Sequence, residues 1–407
     1  MSLRHGFITL LGGSLLAQLL PLLLGPWLTR LYSPAEMGQF LLFAAVAANL
    51  GVVACARYEF ALPAARDALE ADALRRLCLR LLLASSLLAL LAGAAWALWL
   101  GEAWPLLLGP MVALLGGVSL ATLWATRLQT PEAVNALAVS RVLQHGGTAL
   151  LQGLLGLLGA GLKGLIVAAL AAVALAMAWL RLPLRGLVAT APAAPPLTEV
   201  ARKHRDFPLL NTPHAFLGAL QDSLALALIA QHEGAAAAGL WGLAMRYLKA
   251  PATLVGGALS QLLYPRLCAL PAAEGRALLL RAMGWLALCA LGLVLLLAWV
   301  VPPLFGGVFG REWAGAGPLA QALALYIGLH FIASPLSVAP MAWGQQGWTL
   351  RLALVGQLAF VAALLLGLQA GGLVGAGWAV SLAMLAYFGW FFWRLPALAA
   401  DGPGSPA

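Results

Sequence analysis

A chain of 407 residues that is 63% hydrophobic and 9% charged, with a mean hydropathy of +0.93, lies outside the range of water-soluble globular domains. Its solvent is a bilayer, where backbone groups must pair within their own segment, so the continuous, non-alternating apolar runs require helices and exclude a β-barrel. The net charge of +9 follows from basic residues at helix ends, which set topology and meet anionic headgroups; it points to no nucleic-acid partner.

Twelve spans are predicted, at 7 to 29, 38 to 60, 77 to 100, 105 to 126, 140 to 160, 164 to 181, 207 to 231, 237 to 263, 279 to 303, 316 to 341, 350 to 369 and 372 to 393. The first apolar run is longer than a signal-peptide core and is followed directly by another, so it reads as a retained helix. Before the second span, Ser33-Pro34-Ala35-Glu36 spells a capping box with Pro at the first helical position, and Arg30 and Tyr32 just ahead of it are expected at the headgroups. That span ends in CARYEFALP, which places Arg57, Tyr58 and Glu59 near the plane of the lipid phosphates.

The only strong composition break runs from Arg181 to Asp206, with prolines at 183, 192, 195 and 196. It divides the chain into an N-terminal six-helix bundle (1–181), a cytoplasmic Pro-rich linker (182–206), a C-terminal six-helix bundle (207–394) and a short tail (395–407). Six is even, so the two halves enter the membrane the same way, as parallel repeats do. LYSPAEMGQFLLF (31–43) set over HEGAAAAGLWGLA (232–244) pairs Ala35 with Ala236, Gly38 with Gly239 and Leu42 with Leu243, and both segments are first turns of their half. Apart from Arg30, Lys163 and Arg311, and from Arg246 and Lys249 inside the eighth helix, the basic residues collect on one side, which places both termini in the cytoplasm.

Four cysteines, at 55, 78, 268 and 289, lie in or beside apolar runs without CxxC or paired-His spacing, so they read as core residues and no metal is expected. No Walker A loop, HExxH or GxSxG occurs and every loop other than the linker is short, which favours a conduit or carrier over an enzyme. A carrier's chemistry lies in charges at membrane depth. Arg246 and Lys249 are three apart on one face of the eighth helix, and Asp222 and Arg246 each stand twelve residues from Gly234, at similar depth. Two readings follow: an ion pair that locks the two helices, or a cationic lining for an anionic substrate with Asp222 as partner or coupling carboxylate. His214 in the seventh helix is a further candidate proton carrier beside the simpler reading of a core histidine.

LTRLYSPAEMGQF followed by RYEFALP, together with RDFPLLNTPHAFLGALQDSLALALIA and GLWGLAMRYLKAPATLVGGALSQLLYPRL, resembles the bacterial polysaccharide-biosynthesis and O-antigen flippases of the multidrug/oligosaccharidyl-lipid/polysaccharide exporter superfamily. The resemblance implies two six-helix bundles around a central cavity in the bacterial inner membrane. It also implies translocation of an undecaprenyl-pyrophosphate-linked oligosaccharide from the cytoplasmic to the periplasmic leaflet. The peptidoglycan-precursor branch of that family usually carries fourteen helices, against the twelve here. Cationic cavities in the family match Arg246, Lys249 and Arg57 as substrate-binding residues, leaving Asp222, Glu59, Tyr58 and His214 as candidates for coupling or gating. No cofactor is implied beyond a coupling H+ or Na+. Membrane lipids are the solvent partners, and a polysaccharide polymerase and a chain-length regulator are candidate protein partners. The rival readings are a cation/drug antiporter of the related extrusion family and a non-transporting scaffold for polysaccharide assembly.

Overall fold

Because each backbone group needs a partner within its own segment, the chain folds as helix after helix. The computed structural model describes residues 3–128, 130–181 and 195–399, and no strand forms among them. The protein is an all-α polytopic membrane protein. It divides into two compact units, Met1–Ser223 and Leu224–Ala407.

The first unit contains α1 (Leu3–Leu28), α2 (Pro34–Val53), α3 (Ala68–Leu100), α4 (Leu108–Leu128), α5 (Pro131–Leu157), α6 (Gly161–Arg181), the short α7 (Leu197–Lys203) and the start of α8 (Thr212–Glu233). Helix α4 sits at its centre, packed on α2, α3, α5 and α6 through buried Leu108, Met111, Val112, Leu120 and Trp124. Helix α1 runs along α5, close enough that a Cβ added at Gly153 would fall 1.9 Å from the Trp27 ring. Tyr32, expected at the headgroups, is instead 2% exposed and donates its hydroxyl to the Gln152 carbonyl at 2.7 Å. A phenol buried this deeply needs an acceptor, and the α1–α5 packing supplies one.

The second unit contains α9 (Ala235–Leu248), α10 (Ala250–Ala269), α11 (Ala272–Leu295), α12 (Val301–Phe309), α13 (Ala316–Leu336), α14 (Ala339–Ala342) and α15 (Gln346–Arg394). Apolar on all sides, α13 is its core and packs against α9, α10, α11, α12 and α15. Within α15, Gly371 and Gly372 leave helical geometry, Gly372 at φ 59°, ψ −151°, and separate the two spans expected at 350 to 369 and 372 to 393.

Seven helical segments among the described residues are long and apolar enough to cross a bilayer. With α1, α5, α8 and the α9–α10 pair, and with α15 counted as two, the expected twelve are all present as helix. Boundaries differ where caps decide them. Helix α3 starts at Ala68 rather than 77, because Asp67 accepts the Glu70 N–H at 2.7 Å. Helix α5 starts at Pro131 rather than 140, because Thr130 accepts the Ala133 N–H at 3.2 Å ahead of a proline at the first helical position. The Ser33 capping box forms as expected, its N–H donating to Glu36 Oε2 at 2.9 Å.

Candidate functional site

Two places concentrate the chemistry, one in each unit. In the first, α2 stops at Val53 and the chain turns through Ala56 (φ 49°) and Arg57 (φ 61°) into a 3-10 turn, Tyr58–Ala64. Residues with a Cβ seldom occupy this left-handed region, so the elbow is strained and has to be held by its surroundings. The holding contacts are specific. Arg127 donates to the carbonyls of Leu62 (3.0 Å), Ala65 (2.6 Å) and Asp67 (3.0 Å), and Ser85 Oγ donates to the Ala54 carbonyl (2.9 Å).

This elbow corrects the expectation that Arg57, Tyr58 and Glu59 end a helix running from 38 to 60. The Arg57 guanidinium lies 4.0 Å from the Phe60 ring centroid, a cation–π contact. Tyr58 is buried and donates its hydroxyl to the Ala201 carbonyl of α7 at 3.1 Å. Glu59 turns inward, 1% exposed, with Oε2 lacking a hydrogen-bond partner among the described residues. Burial pushes its carboxyl above the ordinary range, against the pull of its own backbone and of the Arg57 charge.

A second carboxylate, not singled out by the sequence, lies in the first turn of α3. Glu70 accepts from the Arg66 N–H (3.0 Å), from His204 Nε2 (2.8 Å) and from the Lys203 ammonium. Together with the Tyr58 contact it docks α7, which lies in the C-terminal part of the 182–206 linker, onto α3. A basic RKH run beside the acidic start of α3 was the available signal, but nothing in the spacing shows that 133 residues of chain close on themselves. Arg141, assigned from sequence to the cytoplasmic end of the fifth helix, stands ten residues inside α5 and donates to Ser14 Oγ of α1.

In the second unit the predicted eighth helix is broken. Helix α9 ends at Leu248 and α10 begins at Ala250, with Lys249 capping both. Pro251 is the cause: it lacks the N–H that a continuous helix would use and crowds the preceding turn. Arg246 lies in the last turn of α9, solvent-accessible yet closely surrounded by protein atoms. Lys249 places its ammonium 5.8 Å from the Tyr326 ring centroid on α13. Tyr326 continues into an aromatic set, 6.0 Å from His330 and 5.9 Å from Phe360, with Phe388 6.4 Å from His330. The break therefore presents one accessible cation and one cation over an aromatic wall, a surface able to hold an anionic group beside rings and aliphatic chains.

Asp222 lies on α8, exposed, twelve residues before Gly234. Its neighbour Ser223 accepts from Asn49 Nδ2 of α2 at 3.0 Å. The His214 side chain lies outside the described residues.

No family model matches the chain, and no curated protein matches it. Solved structures do. One is a multidrug resistance MATE family transporter of the MOP superfamily in an inward-facing conformation, with 18% identity, 94% of this chain and 95% of that chain covered, and a TM-score of 0.64. Another is a MATE P26A mutant, with 17% identity, 97% and 96% covered, and a TM-score of 0.60. A third is a MOP superfamily transporter from Pyrococcus furiosus, described as having a binding pocket of reverse polarity that suggests a different function, with 17% identity, 97% and 96% covered, and a TM-score of 0.59. At these identities the likeness establishes architecture: the chain has the fold of the MATE transporters of the MOP superfamily.

Proposed function

We propose that the chain is a flippase that moves an undecaprenyl-pyrophosphate-linked oligosaccharide, an O-antigen or exopolysaccharide repeat unit, from the cytoplasmic to the periplasmic leaflet of a bacterial inner membrane by alternating access. The observation that carries this reading is the pair of cations at the α9–α10 break, Arg246 accessible and Lys249 over Tyr326. A cation at membrane depth costs about 2.5–3.5 kcal/mol on insertion scales, a cost that is offset where the charge meets an anion. A pyrophosphate offers several acceptor oxygens to a guanidinium and an ammonium, while the polyprenyl chain remains in lipid. Arg57, held on Phe60 at the elbow, is a further phosphate contact. Asp222, Glu59, Tyr58 and His214 are assigned to coupling or gating, with H+ or Na+ as the coupling ion. The bundles 1–181 and 207–394 are the two moving bodies, joined by 182–206.

A cation/drug antiporter is the second reading, favoured by the multidrug MATE transporter among the structural neighbours. Cationic drugs call for acidic linings, whereas the chemistry gathered at the α9–α10 break is basic; the Pyrococcus furiosus neighbour, described by reverse pocket polarity, offers a precedent for such a change within this fold. The test reconstitutes the protein into liposomes holding either lipid-linked oligosaccharide or a fluorescent cationic drug. Faster exposure of the glycan to an external glycosidase, without drug exchange across a pH or Na+ gradient, is the expected outcome. Gradient-driven drug exchange with no glycan exposure would replace this reading with the antiporter.

A further inference from the structure

The elbow that places Arg57 also gathers two cysteines, Cys55 and Cys78, around the Glu59 carboxylate. Cys55 Sγ, Cys78 Sγ and a Glu59 carboxylate oxygen all lie within 4.8 Å of one another, and each residue is at most 1% exposed. Among the described residues Glu59 Oε2 has no hydrogen-bond partner, although a buried carboxylate oxygen left unsatisfied is costly. Cys55 Sγ lies 3.7 Å from the Cys78 carbonyl and within side-chain hydrogen-bond reach of the Cys78 thiol. Two sulfurs and one carboxylate oxygen gathered at this spacing in a buried position form a donor set suited to a borderline-soft d10 cation.

We propose that Cys55, Glu59 and Cys78 bind one Zn2+ that ties the α2 elbow to α3. Glu59 is thereby assigned to the ion instead of to coupling and Arg57 to its counter-charge, without drawing on the cationic path at the α9–α10 break. The frame is set without the ion, because Arg127 and Ser85 fix the elbow through backbone carbonyls. Zn–S bonds of about 2.3 Å and a Zn–O bond of about 2.0–2.2 Å in tetrahedral geometry bring the donor atoms to about 3.5–3.8 Å of one another, so the cluster needs to contract by no more than about 1.3 Å. Binding releases the two thiol protons and any carboxyl proton, and no electron moves. Two thiolates and a carboxylate around Zn2+ leave one negative charge, which the Arg57 guanidinium, within electrostatic reach of Glu59, balances. The fourth position is open to a water molecule or to the Cys78 carbonyl. Cys268 and Cys289 are exposed and take no part.

Full-length protein, purified reduced in detergent and freed of loose metal, is analysed for zinc by mass spectrometry, then stripped with chelator and titrated with Co2+. The expected result is one Zn2+ per chain and, with Co2+, a sulfur-to-cobalt charge-transfer absorption in the near ultraviolet. C268S/C289S should retain both signals. C55S and C78S should each lose the absorption and bind metal at least ~10–100-fold more weakly, the loss seen even for outer-shell partners. Size-exclusion profile and helical circular dichroism identify any variant that fails to fold, and the wild-type titration stands without the variants. Wild-type protein with no bound zinc and no charge-transfer band would overturn the proposal, whether its buried thiols titrate as free in denaturant or prove to be a Cys55–Cys78 disulfide.

Discussion

Tyr58 donates its hydroxyl to the Ala201 carbonyl, and Glu70 in the first turn of α3 accepts from Lys203 and His204, so two side chains of the first bundle hold the short helix inside the linker. The consequences of removing each are different in kind. Tyr58→Phe deletes one partly buried hydrogen bond and should lower thermal stability in detergent by about 0.5–1.5 kcal/mol. If that contact is purely structural, transport at a temperature where the variant is folded stays at the wild-type rate; a transport defect at unchanged stability would assign Tyr58 to gating. Glu70→Gln keeps the shape but removes the charge that Lys203 and His204 meet. Lys203 is 43% exposed, which discounts its share, so a loss of ~1–3 kcal/mol is expected, together with faster proteolysis around α7. Unchanged melting and unchanged cleavage would show that the latch contributes nothing.

Helices meet where side chains are missing, and two glycines set the element-scale geometry. A methyl at Gly153 would fall 1.9 Å from the Trp27 ring. Gly153→Ala must therefore push α1 off α5, at roughly 1–3 kcal/mol of overpacking, read as a lower midpoint of thermal unfolding. Gly372, at φ 59°, ψ −151°, occupies a region essentially reserved for glycine, and Gly372→Ala should cost ~1–3 kcal/mol by the same measurement. Equal midpoints for wild type and either variant would mean that the close approach or the turn relaxes freely. Turns of this kind were legible in the sequence because glycines, prolines and caps act locally: the SPAE box and the split of the last two spans are read directly from the letters. The same chemistry at Thr130-Pro131-Glu132 is equally local, but apolarity alone places the start of α5 at 140. What the letters do not carry is the elbow. Nothing in CARYEFALP announces two successive left-handed residues, because the strain at Ala56 and Arg57 is offset by Arg127 and Ser85, side chains distant in sequence.

At the scale of the whole molecule, composition determined the solvent and hence the fold class, and the spacing of long apolar runs gave the number of spans. The candidate site was legible only in part. Arg246 and Lys249 stand out as charges in an apolar run, but the break between them follows from Pro251, and the aromatic wall under Lys249 comes from α13, α15 and their packing. Spacing of four and nineteen residues likewise hides the convergence of Cys55, Glu59 and Cys78, which exists only once the elbow turns. On the proposed transport reading, the α9–α10 break supplies a cationic path for a pyrophosphate. Its most direct test is the rate at which a lipid-linked oligosaccharide becomes accessible to an external glycosidase in liposomes containing either the wild type or Arg246→Ala/Lys249→Ala. Charged hydrogen bonds contribute about 1.5–3 kcal/mol each, so the double variant should flip at least ~10-fold more slowly while keeping its helical content and melting temperature. Equal rates for the two proteins would contradict the account.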